Sequence, residues 1–181
     1  MERTTKPLGQ TILTNDPSIT AWGWAILDGK NNIIATGCIK TAPEQKKRRI
    51  RKSDDRTRRI SEINQTLIGL IKKYNVSFIL SELPHGSQNA SAAVMIGMVT
   101  AIVQTLGDVL ELPVEWYSEG DAKKAVLNRL SATKEQMISA IDKLYNVPWT
   151  GVGYKDEAVA DALGVHYVAS QQSAILKMMK R

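Results

Sequence analysis

The sequence predicts an α/β domain built on a mixed sheet of five strands flanked by helices. Three apolar segments crowd the first forty residues with only short turn stretches between them, the sign of antiparallel strands. From residue 60 onward, stretches with a helical period alternate with short apolar runs, the pattern of helices covering a sheet. One of those runs, residues 76–80, is apolar apart from Ser77 rather than alternating, as expected of a strand buried on both faces.

Taken in order, residues 1–10 read as a loose tail, and residues 12–15 as a short strand that stops at Asn15, Asp16, Pro17 and Ser18. Asn-Asp-Pro-Ser is good turn chemistry, but it also holds a carboxylate at the edge of a sheet. Residues 22–27 form the second strand, Asp28, Gly29, Lys30, Asn31 and Asn32 a hairpin turn, and residues 33–40 the third strand. Ile60, Ile63, Leu67, Leu70 and Ile71 recur three and four apart, which predicts a helix running to Tyr74. The fourth strand, 76–80, leads to Ser81 and Glu82, then to a loop, 83–88, and an apolar helix over 89–106. Residues 112–117 make the fifth strand. Two short helices follow at 119–130 and 133–145, the second capped by Thr133 or Ser131. A loop, 146–154, precedes a last helix from about residue 156 past Ala169. Residues 11–170 thus read as one domain and 171–181 as a basic tail.

Composition narrows the function. At 181 residues and 43% apolar content the chain has the size and make-up of one globular domain with a hydrophobic core. By this reading no apolar run reaches the length needed to span a membrane, and the polar start lacks a signal-peptide core, so a cytoplasmic protein with no membrane partner is expected. The single cysteine, Cys38, has no internal disulfide partner, and His85 and His166 are too few for the usual histidine metal sites. The net charge is +6, from 24 Lys and Arg against 18 Asp and Glu, and the excess is local. Lys46, Lys47, Arg48, Arg49, Arg51, Lys52, Arg56, Arg58 and Arg59 crowd one stretch that contains only Asp54 and Asp55 as acids. Basic charge of that density suits a polyanion, although a solvated helix start has the same composition.

Four carboxylates are candidates for chemistry. Asp16 and Glu82 each follow a strand, where ligands of such sheets gather. Glu157 and Asp161 lie four apart on one face of the last helix, whereas Asp156, five from Asp161, points away from that face. A helix dipole accounts for acids in a first turn, as at Asp156 and Glu157, but poorly for Asp161 among alanines. Oxygen donors without histidine are the shell of hard divalent ions such as Mg²⁺ or Mn²⁺. Two such ions about 3.5–4 Å apart can activate water and stabilise a leaving oxygen in phosphodiester cleavage.

The stretches ILTNDPSITAWGWAIL, ILSELPHGSQNASAAVMIG and DEAVADALGVHYVA together resemble the RuvC family of Holliday-junction resolvases, over most of residues 11–170. The resemblance implies a ribonuclease H-like fold, a homodimer, branched DNA as substrate and Mg²⁺ as cofactor, with Mn²⁺ able to substitute. It makes Asp16 the first catalytic carboxylate and Glu82 the second, the latter followed by Asn89 and Gly97 at the family's spacing. It places Lys123 and Lys134 near the phosphate that is cut, and Arg59 at the entry to the first long helix. Glu157 and Asp161 take the last two carboxylate roles, since Lys155-Asp156-Glu157 resembles mitochondrial and poxviral relatives. The bacterial pattern has an acid three before Asp161, where this chain has Ala158. His85 stands where an aromatic residue is frequent, and Asn128 and Leu130 replace glycines. With Arg48, Arg49, Arg51, Arg59, His85, Asn89, Lys123 and Lys134 as DNA contacts, the expected activity is metal-dependent cutting of four-way junctions. A flap or fork nuclease and a non-cleaving junction-binding module are the alternatives. An ATP-binding domain of the actin and sugar-kinase type lacks its second phosphate loop here.

Overall fold

The structure is a computed structural model that describes residues 10–44 and 50–179; Lys46, Lys47, Arg48 and Arg49 of the basic stretch lie outside the described residues, as does the N-terminal segment before Gln10. Strands β1 (Thr11–Asp16), β2 (Ala21–Asp28) and β3 (Ile33–Lys40) precede helix α1 (Lys52–Tyr74). Then come β4 (Phe78–Leu83), α2 (Ala90–Leu110), β5 (Val114–Ser118), α3 (Glu119–Leu127), α4 (Lys134–Leu144), α5 (Gly153–Gln172) and α6 (Ala174–Met179). The strands form one sheet in the order β3-β2-β1-β4-β5, antiparallel among the first three and parallel across β1, β4 and β5.

This topology puts four strand ends on one edge. Because β2 runs against both β1 and β3, strands β1, β3, β4 and β5 all point the same way, and they stop at Asp16, Lys40, Leu83 and Ser118. The β2–β3 turn is held by Asp28, whose Oδ1 accepts the backbone N–H groups of Lys30 and Asn32 at 2.8 Å each. Asn31 there adopts φ 70°, a conformation asparagine tolerates.

Each face of the sheet has its own core. Leu13, Trp22, Ile26 and Ile79 pack with Ile63, Leu67 and Ile71 of α1 and Val99, Ile102, Val103 and Leu106 of α2. On the other face Ala25 and Leu27 meet Val159 and Leu163 of α5 and Met137 and Ile141 of α4, while Ile12, Phe78 and Leu80 meet Val165 and Ala169. The two-residue period of β1 therefore sends Leu13 to one core and Ile12 and Thr14 to the other.

Three expectations need correction. Residues 171–179 are not a tail: α5 runs to Gln172, and α6 buries Leu176 and Met179 against the core, because these apolar positions recur one helical turn apart. Helix α2, 21 residues long with mean hydropathy 1.8 over an 18-residue stretch, is long and apolar enough to cross a membrane, although no such run was expected. It is nevertheless the crossover between the neighbouring parallel strands β4 and β5, with Val99, Ile102, Val103, Leu106 and Gly107 buried, and a crossover must lie along its sheet. Nor is α2 buried nearly all round: Ala90, Ala93, Val94, Gly97 and Ala101 form an exposed stripe, with Val94 50% exposed.

Candidate active site

Asp16 is the last residue of β1 and stands opposite Gly23 of β2, while the pairing of Asn15 with Ser81 brings Glu82 beside it on β4. Asp16 and Glu82 fall in the same alternation as Ile12, Thr14, Phe78 and Leu80, whose face carries α5. Two contacts bring that helix close. The Thr14 hydroxyl donates to the Ala162 carbonyl at 2.6 Å. At Gly23 a β-carbon would lie 1.9 Å from the Ala158 carbonyl oxygen, so only glycine lets α5 sit this near the sheet. Asp161, between those two anchor points, is thereby carried to Asp16.

Asp16, Glu82 and Asp161 share a poorly solvated edge, and their carboxyls respond to it. Burial and then the neighbouring Asp161 and Glu119 hold Asp16 well above the ordinary carboxylate range. Burial, then Asp16, Asp161 and Glu119, do the same to Glu82. Burial pushes Asp161 up to about 6, with Glu119 the next cause. Such charges are tolerated together only when protonated or when a cation neutralises them. Among the described residues no three of these acids converge tightly enough to enclose a cation by themselves. A hard divalent cation held by one or two of them would complete its shell with water and substrate phosphate.

Glu119 was missed by the sequence reading. It opens α3 directly after Ser118, whose side chain caps that helix in a reciprocal arrangement with Asp121. One Glu119 oxygen binds Lys123 Nζ one turn on, and the other lies 3.4 Å from His85 Nε2. The hydrogen bond from Lys123 and its charge lower the Glu119 pKa, offset in part by burial. A signal existed, an acid next to the end of β5 and four before a lysine, but surface helices carry such pairs routinely.

The predicted lysines flank the acids. Lys134, the first residue of α4 behind its Thr133 cap, binds Glu157, and that bond with the nearby charges of Asp161 and Asp16 raises its pKa. Glu119, Lys123, Lys134 and Asp161 line an open cavity of about 420 Å³. Glu157 bears on Asp161 but is turned to Lys134, at the margin of the group. Asp156 is no substitute for it. Its buried carboxylate accepts from the Thr150 backbone and hydroxyl at 2.9 and 2.8 Å and from the Gly151 N–H at 2.9 Å.

Two expected DNA contacts have other work. Arg59 is only 6% exposed and donates to the Thr41 hydroxyl at 2.8 Å and the Ile19 carbonyl at 3.1 Å. It faces inward because α1 buries it over the loop that follows Asp16, which it braces. The Asn89 side chain caps α2 by accepting from the Ala92 N–H at 3.1 Å, as asparagine does when it precedes a helix. His85 is exposed, as expected of a contact. Arg51 is exposed but paired with Asp54 at 2.7 Å, and Arg58 with Asp55 and Glu62, so the described part of the basic stretch is partly self-neutralised.

A family model described as crossover junction endodeoxyribonuclease RuvC matches residues 12–168. The chain belongs to the RuvC family. RuvC of Shewanella putrefaciens is 31% identical over 166 residues, 88% of each chain. Among solved structures, Thermus thermophilus RuvC in complex with Holliday junction substrate superposes with a TM-score of 0.70 at 17% identity, covering 89% of this chain and 93% of that one. The yeast mitochondrial Holliday junction resolvase superposes at 0.64, with 13% identity and 98% and 84% coverage. The RuvC fold is thus shared across these chains, and it is the ribonuclease H-like sheet that the sequence resemblance implied.

Proposed function

We propose that this RuvC-family chain is a structure-specific endodeoxyribonuclease that resolves four-way DNA junctions by metal-assisted hydrolysis of phosphodiester bonds. The observation that carries the reading is the convergence of Asp16, Glu82 and Asp161 at one sheet edge, in surroundings that make their charges costly without a cation. A module that merely bound DNA would gain nothing from holding them beside phosphate.

Asp16, Glu82 and Asp161 are the residues that would hold divalent cations, with Glu157 and Glu119 at the margins. Mg²⁺ is the proposed ion and Mn²⁺ a substitute. Bound there, two such ions would activate a water and stabilise the leaving 3′-oxygen. Lys123 and Lys134 place positive charge on the wall of the same cavity, where it can stabilise the developing anion of a bound phosphate. Both lysines are held by acids in the DNA-free protein, so phosphate would compete with Glu119 for Lys123 and with Glu157 for Lys134.

The reading includes a homodimer joined through α2. A junction needs two symmetric cuts, and a twofold pair presents two sites in that relation. The exposed stripe of small residues around Gly97, where a β-carbon would meet nothing within 4 Å, leaves room for a close helix crossing. Its place of action would be the cytoplasm of a bacterial or phage-infected cell.

The test is direct. End-labelled four-way junction, flap and linear duplex are incubated with the protein and Mg²⁺, and the products mapped. Paired symmetric cuts in the junction alone support the reading. Preferential flap cutting would move the substrate to forks and flaps, and intact junctions at saturating protein would reduce the chain to a binding module.

A further inference from the structure

The pairing register draws a row across the sheet from the reactive edge: Asp16 faces Gly23, and Gly23 faces Cys38. Residues directly opposite one another share a face, so all three look toward α5. Lys40, two beyond Cys38, is on that face too, at the end of β3. There its Nζ sits 4.5 Å from the centre of the Tyr154 ring. Tyr154 is 39% exposed, an aromatic residue open to solvent on the side of the acids opposite Lys123. Lys155 follows it, and the Cys38 thiol, raised chiefly by burial, senses Lys40, Lys155 and Asp16 together. The acids are therefore flanked by cations on both sides, Lys123 and Lys134 on one and Lys40 and Lys155 on the other. The second flank carries the exposed phenol ring of Tyr154, where the first carries the imidazole of His85 beside Glu119.

We propose that Tyr154, steadied by Lys40 and accompanied by Lys155, is a stacking platform for an unpaired base of the DNA strand that is cut. Tyr154, Glu157 and Asp161 stand three and four apart on one face of α5, so about 10 Å of helix separates Asp161 from Tyr154, about three nucleotides of stacked strand. A strand whose phosphate lies at Asp16 and Asp161 and whose backbone follows that face of α5 would bring a base to the ring, while Lys40 and Lys155 neutralise its phosphates. Lysine over one side of the ring favours a fixed ring orientation before DNA arrives. Stacking on an aromatic side chain accepts any base, so the platform selects opened strands over continuous duplex rather than one sequence over another.

The inference rests on the junction-cutting reading, and the experiment separates the two. Four-way junctions carrying 2-aminopurine at each of the first few positions beside the branch point are bound in EDTA to wild type, Tyr154→Ala and Tyr154→Phe. Linear duplexes carrying the same base serve as controls, and thermal melting confirms that the exposed site tolerates each change. The expected result is quenching at one position near the branch with wild type and Tyr154→Phe. Tyr154→Ala should lose that quenching and bind the junction roughly 5- to 100-fold more weakly, with duplex binding unchanged. Equal quenching and equal junction affinity in Tyr154→Ala would overturn the platform while leaving junction cutting intact. A wild type that neither binds nor cuts junctions would overturn both.

Discussion

At neutral pH the Asp161 carboxyl, whose pKa lies at about 6, is largely ionised in surroundings that resist its charge. Its value in the fold exceeds the ordinary 3.8, so the folded chain binds more protons than the unfolded one between about pH 4 and about pH 6. The stabilisation from its protonated form is lost as pH rises through that window, and Asp16 and Glu82, shifted in the same direction, extend the loss upward. Without divalent ions the protein should therefore melt higher at pH 5.5 than at pH 8, and Mg²⁺ should raise the melting point at pH 8. A melting point independent of pH over this range would show that the three carboxyls are not strained. Asp161→Asn removes the charge at nearly constant size. It should raise the metal-free melting point at pH 8 by at least about 3 °C, weaken the Mg²⁺-induced rise, and lower junction cleavage by at least about a hundredfold. Unchanged cleavage by this variant would take Asp161 out of the catalytic group.

The position of α5 against β2 depends on a residue with no side chain. A methyl group at Gly23 would collide with the carbonyl oxygen of Ala158 at 1.9 Å and its carbon at 2.3 Å, and backbone atoms have no rotamer by which to yield. Helix and sheet would have to separate at the point where Asp161 is delivered to Asp16. Gly23→Ala should cost about 1–3 kcal/mol, as overpacked cores do, and lower the melting point by several degrees. Since a displacement of about 1 Å can cost about a hundredfold in rate, cleavage should fall at least tenfold even where the variant is fully folded. Junction binding, which draws on surfaces away from this contact, should hold within about threefold. A variant that melted and cut like wild type would mean that α5 can shift without moving the site. On the other side of the sheet, Arg59 braces the loop after Asp16 through the Ile19 carbonyl, so both faces contribute to fixing one carboxylate.

For the molecule as a whole, the exposed stripe on α2 is the feature that a single folded chain leaves unexplained. Val94 and the small residues around Gly97 give up burial that the sheet does not supply, and a second copy of the helix would recover it. Gly97 makes the test clean, because a β-carbon there meets nothing within 4 Å in the subunit. Gly97→Leu should melt as the isolated wild-type subunit would, yet sediment as a monomer and nick junctions without producing paired cuts. Wild type that sediments as a monomer even when bound to a junction would refute the α2 dimer.

The sequence by itself determined the order of strands and helices as far as α5, and the residues at the strand ends. Each is written in a local pattern: the β-formers from Thr11 to Thr14, the apolar Phe78, Ile79 and Leu80 shortly before Glu82, the helical recurrence from Ile60 to Ile71. Asp16 and Glu82 were legible as acids at strand ends, and Asp161 as an acid among alanines. The direction of a polar side chain was decided only by the tertiary structure. Arg59 turns inward because Ile19 and Thr41, 40 and 18 residues away, present oxygen atoms to it. Lys134 meets Glu157 across 23 residues, and α5 begins three residues earlier than its apolar pattern, giving Asp156 to the Thr150 loop. Glu119 joins the acids because β5 adds to the sheet beside β4. A hydrophobic pattern specifies which side of an element is buried, since burial depends on average apolarity. A buried polar or charged group is settled by the particular partner within about 3 Å, and folding alone brings that partner from elsewhere in the chain.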